Sequence, residues 1–225
     1  VKGLSRTELS SFLEFGPAYF RYIASSLASG APTALARLLG VFRVSAARGS
    51  GRAEQHDFVV MENLFYDRSI TDMYDLKGSL RARYAMAGGG PGGGSVLLDE
   101  NLEEAMATSP ILVSETAKAS LEVAVWNDSA FLSSVGVMDY SLLVGLDVGR
   151  GELAVGIIDY LRQYTWDKQL ETYVKQSGVL GGAGKDPTII GPKHYKKRFR
   201  KAMSRYFVLC PSQLAATSMP LLSAE

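Results

Sequence analysis

Two segments decide the fold of this chain: Met138-Asp139-Tyr140-Ser141-Leu142-Leu143-Val144-Gly145 and Gly156-Ile157-Ile158-Asp159. The apolar runs at 142–146 and 153–158 predict two β-strands. The intervening Asp147-Val148-Gly149-Arg150-Gly151 is typical of a hairpin turn. Because hairpin strands run antiparallel, the sequence predicts that Asp139, before the first strand, and Asp159, after the second, lie at the same end.

Two carboxylates at one end of a hairpin have two explanations. Phosphoryl transfer needs one carboxylate to orient or deprotonate the attacking hydroxyl and another to hold magnesium on the ATP phosphates. In protein kinases, an Asp before one short strand pair and an Asp after it fill these roles. The alternative is that Asp139 and Asp159 only cap the strand ends, and their spacing does not choose between the two.

Composition places the chain among ordinary globular proteins. It has 225 residues, of which 47% are hydrophobic and 21% charged, enough to bury a core without disulfides or a structural metal. No apolar run approaches the roughly 20 residues that span a bilayer, so the sequence predicts no transmembrane helix. The one cysteine, Cys210, cannot form an intrachain disulfide, and with only two histidines a zinc site of the usual kind is not expected.

Charge is unevenly distributed along the chain. There are 24 basic and 23 acidic residues, for a net charge of +1. Seven basic residues form a block without an acid at 193–205, which leaves 17 basic and 23 acidic residues, a net of −6, elsewhere. Such a block indicates a surface for phosphate or an anionic membrane, or else it is the solvated face of a helix. Its members are Lys193, Lys196, Lys197, Arg198, Arg200, Lys201 and Arg205.

The N-terminal part of the chain has helical periodicity. Residues 7–15 predict a helix capped by Ser5 or Thr7, and Pro17 is expected to start a second helix, because proline suits a first turn. The second helix carries an apolar stripe that is expected to pack in the core. The stripe consists of Tyr19, Phe20, Ile23 and Leu27.

The remaining segments mix strands and helices. Strands are expected at 41–44, 58–61 and 73–76, and residues 110–135 predict one long helix or two helices. A further helix is expected at 166–175. The last helix, at 192–206, is amphipathic, because its aromatic residues and Met203 fall on one side and the basic block on the rest. The apolar side consists of Tyr195, Phe199, Met203 and Tyr206.

The two opening segments, taken together with Asp75-Leu76-Lys77-Gly78-Ser79, resemble the phosphatidylinositol phosphate kinase family. Other motifs are most similar to its type III branch, the PIKfyve-type phosphatidylinositol 3-phosphate 5-kinases. The resemblance runs from about residue 2 to residue 212. The type III motifs are Trp126-Asn127-Asp128-Ser129-Ala130-Phe131-Leu132, Gln163-Tyr164-Thr165-Trp166-Asp167-Lys168, and Pro187-Thr188-Ile189-Ile190 followed by Tyr195-Lys196-Lys197-Arg198-Phe199.

The resemblance implies an α+β fold with the two lobes of a protein kinase. Residues 1–72 would form a partial N-terminal lobe with helices and a hinge. Residues 73–212 would form the C-terminal lobe with the catalytic and activation loops, and 213–225 a tail. The chain begins at the lysine that binds ATP in the family, after the strands of the glycine-rich loop. We therefore expect weak or no kinase activity from these 225 residues alone.

The resemblance also implies ATP and Mg²⁺ as cofactors and assigns roles to matched positions. Asp139 matches the catalytic aspartate, which orients or receives the proton of the inositol hydroxyl. Asp159 matches the aspartate that holds magnesium. Lys2 matches the lysine that contacts the α- and β-phosphates. The hinge, whose backbone groups would bond adenine, corresponds to Met61, Glu62, Asn63 and Leu64.

Some roles stay open at the level of the sequence. Lys77 either neutralises phosphate charge or pairs with an acid such as Asp75. Either Glu8 or Glu14, both in the first helical region, is expected to orient Lys2. Asn127 and Asp128 are expected to cap a helix or support a loop.

The implied reaction is transfer of the ATP γ-phosphate to the 5-hydroxyl of phosphatidylinositol 3-phosphate. Residues 160–192 match the activation loop, which selects the lipid and contacts the membrane. The expected partners are a phosphoinositide on an anionic membrane, the rest of a longer chain and regulatory scaffold proteins, and no nucleic acid. The expected location is the cytosolic face of endosomal or vacuolar membranes. The candidate lipid and membrane contacts are Lys168, Lys185, Lys193, Lys196, Lys197 and Arg198.

Two other functions remain possible for the same fold. A non-catalytic phosphoinositide-binding module would need neither acid, so the presence of both Asp139 and Asp159 favours a kinase. A kinase acting on proteins is less consistent with the sequence, which lacks His-Arg before Asp139 and Phe-Gly after Asp159. Val144 also stands where a protein kinase has its magnesium-binding Asn, so the ligands of a second metal are not identified.

Overall fold

A computed structural model describes residues 1–46, 54–86, 95–164, 191–210 and 223–224. Helices and strands are interspersed along the chain, which confirms the α+β class. The expected helix at 166–175 lies outside the described residues. In chain order the elements are β1 (Lys2–Leu4), α1 (Arg6–Ser29), β2 (Leu38–Ala46), β3 (Glu54–Met61), β4 (Asp72–Leu76), α2 (Asp99–Ala105), β5 (Ile111–Val113), α3 (Glu115–Ser134), β6 (Ser141–Asp147), β7 (Glu152–Ile158), α4 (Pro192–Tyr206), β8 (Phe207–Leu209) and β9 (Ser223–Ala224).

The N-terminal elements are an antiparallel sheet in the order β1-β3-β2 and the helix α1. Ser5 caps α1 in a reciprocal capping box with Glu8, as the sequence predicted for one of its two candidate caps. The predicted new helix at Pro17 is wrong, because α1 continues through this residue. Proline removes one backbone donor, which would have bonded the carbonyl of Leu13. Both residues are exposed, so that carbonyl stays on the side open to water.

The predicted apolar stripe of α1 is only partly buried. Tyr19 is in the core at 1% exposure and Ile23 is half-buried. Phe20 and Leu27 instead are 56% and 64% exposed, so the prediction is wrong for them. The core-facing side of α1 is centred on Phe12, which shares an edge-to-face contact with Tyr19. Helical periodicity identified an apolar side, but the side that meets the core is rotated from the predicted one.

The predicted hairpin between Asp139 and Asp159 is present. Strands β6 and β7 pair antiparallel from Ser141 opposite Ile158 to Asp147 opposite Glu152, within a sheet in the order β4-β6-β7-β9. Asp139 lies two residues before Ser141 and Asp159 directly after Ile158, which confirms that they share one end of the hairpin.

Two glycines of this hairpin accept the chain segment that follows β3. A Cβ on Gly156 would lie 2.4 Å from Leu64 Cδ1, and a Cβ on Gly145 would lie 2.5 Å from the Phe65 ring. These distances are far inside van der Waals contact, so a larger residue would force the Leu64 or Phe65 side chain to move. The absence of a side chain at both positions lets residues 64–65 rest on the sheet.

Residues 110–135 are not helical throughout. Ile111–Val113 is the strand β5, paired in parallel with β8, and the helix α3 starts after Ser114, whose hydroxyl accepts the N–H of Ala117. The prediction of a helix from residue 110 is therefore wrong at its start. The β-branched residues Ile111 and Val113 favour a strand, and pairing with residues 207–209 stabilises it.

The helix α4 was predicted correctly. Its apolar side is buried in the core, with Tyr195, Phe199, Met203 and Tyr206 each at most 2% exposed. It packs against α3 and against the loop before β6, where the Phe199 ring lies edge-on to Tyr140 at 4.9 Å. Among the described residues, no helix has the length and apolar character needed to span a bilayer.

Candidate active site

Asp139 and Asp159 both have a left-handed backbone. Their φ angles are 69° and 60°, in a region that favours glycine and that other residues enter at a cost of about 1–2 kcal/mol. The tyrosine that follows each aspartate is anchored. The Tyr140 carbonyl accepts the Tyr195 hydroxyl, and the Tyr160 hydroxyl donates to a carbonyl in the loop between α1 and β2. Held strain of this kind is concentrated at functional sites.

Lys77 lies against Asp139. Its Nζ is 2.8 Å from the Asp139 carbonyl oxygen and 3.2 Å from Oδ1, and its side chain is 20% exposed. The alternative that Lys77 pairs with an acid is thus confirmed, but the acid is Asp139 and not Asp75, which pairs with Arg83 at 2.7 Å. The strand β4 ends directly before Lys77, and it is hydrogen-bonded to β6. Neighbouring strands therefore bring Lys77 and Asp139 together.

Lys2 lies between Asp159 and Glu8. Its Nζ is 2.8 Å from Asp159 Oδ1 and 3.3 Å from Glu8 Oε1, whereas Glu14 is exposed. The structure thus selects Glu8 as the acid that orients Lys2. Partial burial lowers the pKa of the Lys2 ammonium, but the hydrogen bond and charge of Asp159 and the charge of Glu8 outweigh it and raise that pKa. Lys2 is therefore firmly cationic.

Glu8 is itself held in place. Burial raises the pKa of its carboxyl, but the backbone and side-chain bonds from Ser5 and the charge of Lys2 lower it below the ordinary value. The Ser5 N–H and hydroxyl donate to Glu8 Oε2 at 2.9 and 2.8 Å, while Oε1 faces Lys2. The same carboxylate therefore caps α1 and positions the lysine.

Asp159 is suited to hold magnesium shared with a phosphate ligand. Its side chain is 43% exposed, and carboxylate oxygens are the ligands that Mg²⁺ prefers. Within the described residues there is no group of three metal-ligating His, Cys, Asp or Glu side chains. A single carboxylate matches an ion that takes its other ligands from phosphates and water.

The predicted hinge begins near Lys2. In the register of β1 with β3, Lys2 is opposite Val59, two residues before Met61. The Glu62 N–H already donates to the Arg37 carbonyl, and Arg37 N–H donates back to the Glu62 carboxylate. The Glu62 N–H and carboxylate are therefore already bonded within the fold.

Part of the predicted hinge lines a cavity, but Lys2 is not among the residues that line it. Glu62, Asn63 and Leu64 border a space of about 320 Å³ together with the 33–37 loop and β7. Neither Met61 nor Lys2 borders it. The hinge assignments stay a prediction.

Asp128 supports the loop that contacts β7. Its carboxylate accepts the Tyr22 hydroxyl (2.6 Å), the Thr33 hydroxyl (2.7 Å) and the Ala34 N–H (2.6 Å). Ala34 in turn accepts the N–H of Ile157, two residues before Asp159, at 2.6 Å. The sequence prediction of a capping or loop-support role is thus confirmed for Asp128 as loop support.

The basic residues of α4 fall into two groups. Arg200 lies over the Trp126 ring at 3.7 Å and Arg205 pairs with Glu103, so these two bind within the fold. Arg198 and Lys196 are half-buried, and the Arg198 guanidinium lies over the Tyr195 ring. The exposed lysines of α4, spaced four residues apart on one side, are here called the lysine row. The lysine row consists of Lys193, Lys197 and Lys201.

The candidate contacts Lys168 and Lys185 lie outside the described residues. Arg83, Tyr160 and Asp99 were missed by sequence reasoning, although each contacts a site residue or its neighbour. Arg83 donates to Asp75, which belongs to the same motif as Lys77. The short distance along the chain between Arg83 and this motif was the one signal in the sequence that could have indicated the contact.

Comparison with known proteins identifies the family. Residues 1–154 and 147–206 match the family described as Phosphatidylinositol-4-phosphate 5-Kinase. The two ranges cover most of the chain and include Lys2, Lys77, Asp139 and Asp159. The chain belongs to this family of lipid kinases.

Within the family, the chain is similar to proteins named for a 3-phosphate substrate. It is 56% identical over 215 residues to the 1-phosphatidylinositol-3-phosphate 5-kinase FAB1A of Arabidopsis thaliana. The aligned region covers 95% of this chain and 12% of that protein. It is 45% identical to the 1-phosphatidylinositol 3-phosphate 5-kinase FAB1 of Saccharomyces cerevisiae, covering 94% of this chain and 9% of that protein. The human 1-phosphatidylinositol 3-phosphate 5-kinase is 46% identical over 213 residues, covering 94% of this chain and 10% of that protein. The chain therefore spans about a tenth of the length of these relatives.

Proposed function

We propose that this chain is the catalytic part of a phosphatidylinositol 3-phosphate 5-kinase. It transfers the γ-phosphate of ATP to the 5-hydroxyl of the lipid and yields phosphatidylinositol 3,5-bisphosphate. The observation that carries the proposal is the pairing of two lysines with two aspartates at one end of the β6–β7 hairpin. The names of the similar relatives support the choice of the 3-phosphate lipid.

In this proposal Asp139 acts on the nucleophile. Its side chain is 58% exposed, so an inositol hydroxyl can reach it. The carboxylate orients the hydroxyl and accepts its proton as the oxygen attacks phosphorus, and ADP leaves with the cleaved bond's electron pair. Lys77 keeps the carboxylate facing the lipid and adds positive charge where the phosphoryl oxygens pass.

Lys2 and Asp159 would hold the nucleotide. Lys2 meets the α- and β-phosphates as a point charge, with Glu8 fixing its position. Asp159 would hold Mg²⁺, which when bound neutralises phosphate charge. The present Lys2–Asp159 contact of 2.8 Å brings the two groups together, and binding of the nucleotide would separate them so that Lys2 faces phosphate and Asp159 holds the metal.

The finer architecture is part of the proposal. Residues 1–72, with the β1-β3-β2 sheet and α1, would be a partial N-terminal lobe, and 73–212 the C-terminal lobe, with 213–225 as a tail. ATP would lie between the lobes, and Met61, Glu62, Asn63 and Leu64 would form the hinge. The β1-β3-β2 sheet is separate from the sheet that contains β6 and β7, which supports this division, and the Lys2–Asp159 contact lies where the two meet.

The lysine row would contact an anionic membrane. Each well-placed cation near such a surface contributes about 1 kcal/mol, and the row is free of carboxylate partners among the described residues. Lys168, Lys185, Lys196 and Arg198 would assist near the lipid headgroup. The protein would then lie on the cytosolic face of endosomal or vacuolar membranes, within a longer chain and with regulatory scaffold proteins.

The test is product analysis with the protein at its natural length. Vesicles containing the 3-, 4- or 5-monophosphate of phosphatidylinositol are incubated separately with γ-labelled ATP and Mg²⁺, and the product's phosphate positions are determined. We expect the 3,5-bisphosphate from the 3-monophosphate. Absence of transfer to that lipid would refute the proposal, and vesicle binding without any transfer would instead indicate a non-catalytic binding module.

A further inference from the structure

Asp99 is a buried carboxylate next to the candidate active site, and it lies outside the segments that resemble the kinase family. It is the first residue of α2 and is 0% exposed. It accepts the N–H of Lys77 at 3.1 and 3.2 Å and the N–H of Gly78 at 2.7 Å. Arg83 Nε donates to it at 2.9 Å and the Tyr206 hydroxyl at 3.0 Å. A carboxylate so far from water needs donors of this kind.

The hydrogen bonds of Asp99 fix the backbone from which the Lys77 side chain starts. The strand β4 ends at Leu76, so Lys77 and Gly78 have left the sheet, and Asp99 takes up the N–H groups that the sheet no longer uses. Gly78 has φ +69° and lies against α4, where a Cβ would come within 2.8 Å of Ala202 Cβ. Asp99 on one side and α4 on the other therefore hold this turn in one conformation.

The position requires a carboxylate rather than an amide. Oδ1 accepts from Lys77, Gly78 and Tyr206, and Oδ2 accepts from Lys77 and Arg83. In either orientation of an asparagine, its NH₂ group would face a backbone or guanidinium N–H that can only donate. Asp99→Asn must therefore move the turn or leave donors unpaired.

We propose that Asp99 is a positioning residue for the phosphoryl-transfer site: it fixes the Lys77–Gly78 turn and thereby holds the Lys77 ammonium against Asp139. This inference rests on the proposed function for its role in catalysis, but the geometry it describes does not depend on the substrate. Tyr206 and Arg83 hold the carboxylate itself. The helix α4 thus contributes to the site through Tyr206 as well as through its contact with Gly78.

The kinetic test compares Asp99→Asn with a matched buried carboxylate. Asp147, 1% exposed, accepts backbone N–H groups of Ser69 and Arg150 at the other end of the hairpin. In the protein at its natural length, we expect Asp99→Asn to lower kcat about 100-fold, the effect of a displacement of about 1 Å, with little change in KM. Asp147→Asn should change kcat less than about twofold. Loss of kcat in both variants alike would overturn the inference.

A double-mutant cycle shows whether Asp99 acts through Lys77. We expect Asp99→Asn to have little further effect on kcat in a Lys77→Met background, because the ammonium to be positioned is gone. Multiplying effects would show a merely structural role and overturn the proposal. If Asp99→Asn does not fold, Tyr206→Phe, which removes one donor to Asp99, is used in the same cycle. It should lower kcat several-fold in the presence of Lys77 only.

Acylation of Lys77 gives a readout that needs no lipid. Lysine amines are labelled with an acylating reagent and quantified by mass spectrometry, with Lys118, bonded to the Phe207 carbonyl, as internal reference. We expect Lys77 labelling to rise at least about fivefold in Asp99→Asn while Lys118 is unchanged, because the ammonium leaves Asp139. Unchanged Lys77 labelling would overturn the inference. Increased labelling in a protein that never phosphorylates the 3-monophosphate would support it and refute the proposed function instead.

Discussion

Asp128 should tolerate an amide where most buried carboxylates would not. Its side chain is 0% exposed and its partners are the Tyr22 and Thr33 hydroxyls and the Ala34 N–H. Burial is the largest influence and raises the pKa of this carboxyl from 3.8 to about 6, even though the hydrogen bonds lower it. The carboxylate is thus ionised at neutral pH at a cost to the native state.

Asp128→Asn keeps the hydrogen bonds and removes that cost. Hydroxyl groups accept as well as donate, so the amide NH₂ can face Tyr22 and Thr33 while its oxygen accepts the Ala34 N–H. A pKa displaced by about two units corresponds to about 3 kcal/mol of destabilisation at high pH, at about 1.4 kcal/mol per unit. That shift already includes the hydrogen bonds to the carboxylate, so we expect Asp128→Asn to raise the free energy of unfolding at pH 8 by at most about 3 kcal/mol.

Asp128→Ala should behave very differently. It leaves the same donors without an acceptor, at about 1–3 kcal/mol for each buried group. We expect a loss of about 3–5 kcal/mol in the free energy of unfolding. The loop that holds Ile157 would also loosen, so kcat should fall along with stability.

Urea unfolding at pH 5 and pH 8 measures both effects. The folded state keeps the Asp128 proton up to about pH 6, whereas the unfolded chain releases it near pH 4, so this group stabilises the fold at low pH. That contribution is lost as the pH rises through about 6. The unmodified protein should therefore lose stability relative to Asp128→Asn between pH 5 and pH 8. An amide variant as unstable as Asp128→Ala at pH 8, or a difference independent of pH, would refute the reasoning.

Three further predictions concern the site. Gly156→Ala should raise the KM for ATP several-fold by moving Leu64, a residue of the proposed hinge, whereas Gly149→Ala, on the open turn of the same hairpin, should not. An ATP titration measures both, and equal KM values would contradict the prediction. Glu8→Gln should lower kcat about tenfold by releasing Lys2, whereas Glu14→Gln, at an exposed position, should leave kcat unchanged in the same assay. Reversed effects would exclude Glu8 as the acid that orients Lys2. Alanine at all positions of the lysine row should weaken binding to anionic vesicles about 100-fold at low salt. The control Arg21→Ala, at an exposed position on α1, should weaken binding much less. Vesicle sedimentation measures both, and equal losses would argue against a directed membrane face.

The parts of the fold that local patterns encode were predictable. A hairpin is encoded by two apolar runs and a turn between them, so the shared end of Asp139 and Asp159 followed from the sequence. The helix α4 was equally clear, because its period of apolar residues fixes the buried side. The lipid kinase family followed from the motifs around these elements and is confirmed by the comparisons.

Contacts between distant segments were not predictable from one sequence. Glu8 and Glu14 lie on the same helix, and only the direction in which α1 leaves β1 selects Glu8 for Lys2. Asp99 gathers donors from the turn after β4 and from α4, and no local spacing signals such convergence. Two wrong predictions have a similar cause: the propensity of Pro17 does not reveal that α1 continues through it, and β5 depends on pairing with β8, far along the chain.

The central claim is that Asp139 carries out phosphoryl transfer to the inositol ring. The most direct test is the rate of labelled phosphate transfer from ATP to phosphatidylinositol 3-phosphate by Asp139→Asn, beside the unmodified protein and the buried control Asp147→Asn. The amide keeps the size of the side chain but cannot accept the hydroxyl proton. We predict a loss of about 100- to 10,000-fold for Asp139→Asn and a nearly unchanged rate for Asp147→Asn. A rate for Asp139→Asn within a few-fold of the unmodified protein would contradict the claim.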